Sequence, residues 1–199
     1  MMMRRRRLFW QIFPAFLLVS ALTLAAAGAF MLKAVTSFHI EQVRDDLEAR
    51  ARLLVPQARG WILDGQLAEM DGQIGPLAAR TGTRITIVDA DGRVLAESDA
   101  TAALMESHAD RDEVREALAG GVGRSIRSSD TVQAGLVYVA VAIEGDAGAP
   151  LGVVRTALPL TDVHAQLATL RRALTATGLA AVLLGALLSW WIARRLSRP

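Results

Sequence analysis

An α+β domain inserted between two membrane-spanning helices is the architecture this sequence predicts, on three observations. Two charge-free apolar runs, Leu8 to Leu32 and Ala173 to Ala193, lie near the two ends of the 199 residues. Between them the hydrophobic pattern changes from helical spacing to period two and back again. Every one of the 20 acidic residues falls inside that middle stretch.

Each apolar run, at 1.5 Å rise per residue, is long enough to cross a hydrocarbon core of about 30 Å as a helix. Arg4 to Arg7 precede the first run, and Arg194, Arg195 and Arg198 follow the second. Of the 22 basic residues, those seven lie outside the middle stretch, which leaves 15 inside it against 20 acids. Basic charge at both outer ends puts both termini in the cytoplasm. The central domain is then periplasmic in a bacterial inner membrane. The expected divisions are a basic end at 1–7, a first span at 8–32, and an extracytoplasmic domain with membrane-proximal helices at 33–172. A second span at 173–193 and a further basic segment at 194–199 complete the chain. The first run exceeds the 7–15 apolar residues of a cleaved signal peptide, which favours an anchor. The net charge of +2 sums two basic ends and an acidic middle. It is therefore no nucleic-acid signal, and the partner expected of the spans is membrane lipid.

Ile40, Val43, Leu47 and Leu54 form an apolar seam at heptad spacing in a helix from Ser37 to Leu54. Pro56, which lacks an N–H and disfavours the α region at Val55, is expected to end it. From Trp61 to Arg80 the glycines and the Gly75-Pro76 pair predict two short helices. Arg84 to Val88 is rich in β-branched residues and reaches a turn at Asp91-Gly92, so with Arg93 to Ala96 it predicts a hairpin. A helix capped by Asp110 or Asp112 and stopped by Gly120-Gly121 follows. Three strands come next: Val122 to Ser128, Leu136 to Ile143 and Leu151 to Leu158. The middle one is apolar on both faces, as in a strand covered on each side.

The last helix carries Leu160, Val163, Leu167, Leu170 and Leu174 at alternating spacings of three and four. The register continues through Thr177, Ala181, Leu184, Leu188 and Trp191, with no proline between. That predicts one continuous signal-relay helix in a left-handed coiled coil, and hence a homodimer. In the first span Ala21, Ala25 and Ala29 permit close helix approach.

The stretch Thr83 to Ser98, the segment Met105 to Val114 and the run Gly120 to Ser125 together resemble one known input domain. It is the PAS/Cache-like extracytoplasmic sensor of the phosphate-regulon and cell-wall group of bacterial sensor histidine kinases. Many members carry Asn or Asp where Ser107 stands and Pro where Asp112 stands. The close, Ile192 to Pro199, resembles the start of a HAMP linker. The resemblance implies a PAS/Cache-like antiparallel sheet with flanking helices and a role as the input half of a two-component kinase. It also implies a cognate response regulator reached through parts beyond Pro199, and the chain is then a fragment or truncated product. ATP and Mg belong only to such a kinase core; no cofactor, metal site or catalytic residue is expected within residues 1–199. The histidines His39, His108 and His164 lie between the spans, away from ATP, and none suits a phosphoacceptor. A chemotaxis receptor, a membrane cyclase or a stand-alone two-pass regulatory protein has the same input architecture.

Asp89-x-Asp91-Gly92 lacks the later ligands of a calcium loop and reads as a hairpin turn. Glu106, His108, Asp110 and Asp112 read as loop and cap residues rather than metal ligands. A ligand pocket is expected between the sheet and the segment Ala100 to Gly121. Arg84, Arg124, Arg127, Tyr138 and Arg155 lie on or beside strands there, and guanidinium forks suit an anion. The competing expectation is that these arginines pair with the chain's own carboxylates.

Overall fold

A computed structural model describes the backbone of residues 2–129, 134–145 and 148–196. Side chains are described within that range except at 2–17, 128–129, 134, 160–171, 188–189, 192–193 and 196. The chain divides into a helical unit, Met1–Phe38 with His164–Pro199, and an α/β unit, His39–Val163.

In the helical unit, helix α1 (Met2–Leu63) and helix α4 (Leu160–Leu196) are each unbroken. α1 is long and apolar enough to cross a membrane, and none of its apolar window is buried. Half-buried residues of α4 recur every four positions at Gly178, Val182 and Ala186. A Cβ built on Gly178 would stand 3.8 Å from Leu24 Cδ2, an ordinary contact distance, so the two helices lie beside each other here. On α1, Ala21 and Gly28 are half-buried while Ala25 and Ala29 are exposed. Of the expected alanine repeat only Ala21 is therefore half-buried, and a Cβ built on Gly28 would meet nothing within 4 Å. Of the relay residues, Leu174 is exposed. The side chains of Leu160, Val163, Leu167 and Leu170 lie outside the described residues, although their backbone is helical.

The α/β unit is built on a five-stranded antiparallel sheet of order β2-β1-β5-β4-β3. The strands are β1 (Arg84–Asp89), β2 (Val94–Glu97), β3 (Val122–Ser129), β4 (Ala134–Glu144) and β5 (Pro150–Pro159). Helix α2 (Leu67–Thr81) precedes the sheet, and helix α3 (Asp112–Gly120) sits between β2 and β3. On one face Ile85, Ile87, Ala96, Val141, Ile143 and Val154 pack against Ala51, Ala58 and Trp61 of α1 and Met70, Ile74 and Ala78 of α2. On the other, Val88, Val94, Ala140 and Val153 pack against Val114 and Ala117 of α3. Residues of β4 from Leu136 to Val141 are buried, as the doubly apolar pattern predicts for a covered strand.

Two expected helix boundaries are corrected. α1 continues through Pro56 to Leu63. The core residues Ala51, Ala58 and Trp61 on either side hold the turn that the missing N–H weakens. From Trp61 to Arg80 the only break is near Gly65, and α2 then runs through Pro76. Its neighbour Gly75 has no Cβ to clash with the proline ring, so the residue before proline stays helical. Leu47 is fully buried, and its carbonyl accepts a 3.0 Å bond from Thr156 Oγ1 of β5. From Leu47 onward the seam packs on the chain's own sheet, with Leu54 partly buried against it.

The hairpin turns where the sequence places it. Asp89 Oδ1 accepts from the amides of Asp91 (3.0 Å) and Arg93 (2.8 Å), an Asx turn closed by Gly92 at φ 84°. Any Cβ at Gly92 would also collide with the backbone of Ala109, because the 105–110 loop docks there through His108 N–H to Gly92 O at 2.7 Å. α3 starts at Arg111 with no side-chain cap; neither Asp110 nor Asp112 caps it. Asp112 and Glu113 instead place negative charge in its first turn, where the helix dipole favours it.

Candidate functional site

Strand alternation decides which of the five candidate residues meet. Across the sheet Glu97, Thr86, Arg155, Ala140 and Gly123 stand directly opposite one another in successive strands. The next row is Arg84, Ala157, Tyr138 and Ser125, and Arg127 pairs with Leu136 beyond it. All project from the face that α3 covers. Arg84, Arg127, Tyr138 and Arg155 thus share one surface. Arg124, an odd number of residues from Arg127, is on the opposite face. There it reaches α1, at 2.9 Å from Glu41, 3.6 Å from Asp45 and 2.7 Å from Glu48.

Arg155 is 3% exposed, and its Nε donates at 2.9 Å to Glu113 Oε1 of α3. Arg127 donates to the same oxygen at 2.8 Å. Both guanidinium groups lie over the Tyr138 ring, 4.0 Å (Arg155) and 4.8 Å (Arg127) from its centroid. Glu113 is fully buried, its Oε2 has no partner, and Arg127 Nε has none either. Burial pulls the Arg155 guanidinium below its ordinary pKa, against the opposing pull of the Glu113 carboxylate. Gly123 makes the approach of α3 possible, since a Cβ there would run into the Glu113 carbonyl.

Beside this cluster Glu97 accepts from Arg84 Nε at 2.9 Å and from Thr86 Oγ1 at 2.7 Å. Burial depresses Arg84, but the bond to Glu97 and the charges of Glu97 and Asp99 outweigh it and raise its pKa. His108 is 5% exposed with Nδ1 3.0 Å from the Glu106 carbonyl. Burial, then the positive charges of Arg155 and Arg111, hold its pKa below the usual value despite that carbonyl. Asp110 and Asp112 of the same segment are exposed. They pair with Arg111 and Arg115.

The sequence reading therefore found four of the residues that converge and missed Thr86, Glu97 and Glu113. It named His108 only as a loop residue. The competing expectation holds for all four arginines, since Arg84, Arg124, Arg127 and Arg155 each pair with a carboxylate of the chain, although the partners Glu97 and Glu113 are buried. An open groove of about 480 Å³ lies to one side, lined by Leu67 and Asp71 of α2, Val94 and Leu95 of β2, and Thr101 and Met105. It touches only the beginning of the segment expected to close the pocket.

No protein-family model and no curated protein matches the chain. Solved structures do. The sensor domain of the V. cholerae histidine kinase DctB aligns at a TM-score of 0.57 and 16% identity, covering 67% of this chain and 55% of that one. The E. coli DcuS sensor domain aligns at 0.53 and 20%, covering 64% of this chain and 96% of that one. The ligand-binding domain of the Campylobacter jejuni chemoreceptor Tlp3, in complex with L-valine, aligns at 0.54 and 16%, covering 80% and 66%. The chain spans about half the length of the V. cholerae domain. What is shared at these identities is the fold: helices and a five-stranded antiparallel sheet of the PAS/Cache-like kind.

Proposed function

We propose that this chain is the sensing and transmembrane input segment of a two-component sensor histidine kinase in a bacterial inner membrane. The observation that carries the reading is the buried polar cluster of Arg127, Tyr138, Arg155 and Glu113 on a PAS-like sheet, in a chain whose first helix is apolar enough to span a membrane. A core built for stability alone is better served by apolar residues, since buried ion pairs rarely repay their desolvation. A switch, by contrast, uses charged groups with two arrangements of similar free energy.

In this reading α1 and α4 both cross the membrane, both termini are cytoplasmic, and the α/β unit is periplasmic. A small extracytoplasmic ligand or membrane partner favours one arrangement of the unit. β5 ends at Pro159 and α4 begins at Leu160, so a shift in the sheet passes directly into α4. Two copies associate through their membrane helices, and a HAMP linker beginning at 194–199 carries the shift to a kinase core and response regulator. The finer assignment to the phosphate-regulon and cell-wall group rests on the likeness of Thr83 to Ser98.

A second reading is the input half of a chemoreceptor, and the fold likeness to Tlp3 favours it. The codons that follow Pro199 separate the two. A histidine-bearing dimerisation helix and an ATP-binding domain are expected; a methyl-accepting helix would support the chemoreceptor, and an immediate stop would overturn both.

A further inference from the structure

We propose that the Arg127–Arg155 pair is a carboxylate-binding site that the chain fills with its own Glu113, and that a small external carboxylate competes for it and releases α3. The inference deepens the sensing reading and rests on it for biological meaning.

The bonding pattern is the first argument. Glu113 Oε1 takes both guanidinium bonds while Oε2, equally buried, takes none. Arg127 Nε is also buried and unpartnered. Guanidinium and carboxylate bind most strongly through two parallel N–H···O bonds that use both oxygens, and Glu113 makes such a pair with neither arginine. Glu113 is presented from a helix whose backbone seats against Gly123. The Tyr138 ring lies against both guanidinium groups, a contact that does not itself involve Glu113. The receiving side is thus held in part by a contact other than Glu113, and the carboxylate now occupying it leaves one oxygen and one N–H unpaired.

Charge is the second argument. Two guanidinium groups face one carboxylate, and among the described residues no other acid pairs with either arginine. The site keeps a positive excess that favours an anion. The third argument is the weakness of the latch. α3 has nine residues, ends in Gly120-Gly121, and contributes only Val114 and Ala117 to the fully buried apolar core, with Leu118 partly buried beside them. Few apolar contacts oppose its release. The slot already accommodates a planar carboxylate, which is why that class, rather than a tetrahedral anion, is assigned.

The test uses the full chain in nanodiscs, with sodium acetate and sodium malonate against sodium chloride at fixed ionic strength. In Glu113→Ala, acetate is expected to raise the melting temperature saturably, at a concentration at least tenfold below any effect on the native chain. Adding Arg155→Met to that variant should abolish the response. In the native chain, malonate should speed amide exchange across residues 112–120 and leave α2 unchanged. Where Glu113→Ala fails to fold without anion, Glu113→Gln keeps the shape, removes the charge and supports the same comparison. Equal effects of acetate and chloride on the variants would overturn the proposal, as would stronger stabilisation by phosphate than by acetate. Acetate rescue with no signalling change in the full-length parent would leave the site and remove the sensing role. Signalling through a site insensitive to Glu113 substitution would do the reverse.

Discussion

Replacing Arg155 by methionine should unfold the α/β unit more readily than any exposed substitution, by an amount the structure bounds. The side chain is 4% exposed and bonded to Glu113, which is wholly buried. Removing one partner of a buried pair costs about 3–5 kcal/mol, because the other charge stays behind in a poor solvent. Arg127 still donates to Glu113 Oε1, which moves the expectation to the lower end, about 3 kcal/mol. For a domain of this size each kcal/mol lowers the melting temperature by roughly 3–4 °C, so a drop of about 10 °C is expected. Thermal melting of the full chain in nanodiscs, followed by intrinsic fluorescence with Trp61 as the buried reporter of this unit, reads it. Pairing Arg155→Met with Glu113→Leu should recover part of the loss, since an apolar pair of similar volume leaves only the partly exposed Arg127 without its carboxylate. A single-variant loss under about 1 kcal/mol, the range of an exposed ion pair, would show that the cluster is solvated and would refute the argument.

Other expectations follow from the same geometry. Gly123→Val should cost about 3 kcal/mol or more, seen as a lower melting temperature, because α3 must lift off the sheet where its carbonyl meets the new Cβ. His108 faces Arg155, Arg111 and Glu97, and its folded pKa lies below the unfolded 6.5. Its contribution to stability is complete above pH 6.5 and is lost as pH falls through the lowered folded value. The difference in melting temperature between native and His108→Asn chains should shrink from pH 7.5 to pH 5.0, and a constant difference would contradict this. Arg124→Ala should cost at most about 1 kcal/mol, the pairs being partly exposed, and the cost should diminish between 50 mM and 1 M salt. The Arg124 bond also holds Glu48 below its usual range, so that contribution persists above pH 4.5 and fades in acid. Leu167→Glu in a full-length parent should uncouple signalling while the melting of the α/β unit stays unchanged; normal signalling would remove the relay role of that register.

The strands were legible because period-two alternation and turn residues agree at Asp91-Gly92 and at the β-branched run before it. The helix boundaries at Pro56 and Pro76 were not, because local breaking tendencies lost to packing by Trp61, Ala58 and Met70. The separation of Arg124 from Arg127 was readable, since residues three apart in a strand face opposite ways. Glu113 stands four residues before Ala117, on the buried stripe of α3, and this spacing was the available sign that it points inward. Glu97 had no such sign. Ala96 and Glu97 face opposite sides of the sheet and both are buried because both sides are covered, so alternation could not single out Glu97. That the 105–110 loop docks on Gly92 and buries His108 is a long-range fact that no local pattern carries.

The central claim is that the α/β unit stands outside the inner membrane between two spans. The chain has no cysteine, so single cysteines report without background. Leu104→Cys, at a side chain 85% exposed in the unit, and Ser197→Cys are to be labelled with a membrane-impermeant maleimide in spheroplasts. Labelling at 104 in intact spheroplasts, and at 197 only after lysis, is the predicted result. Protection of 104 until lysis would contradict the account.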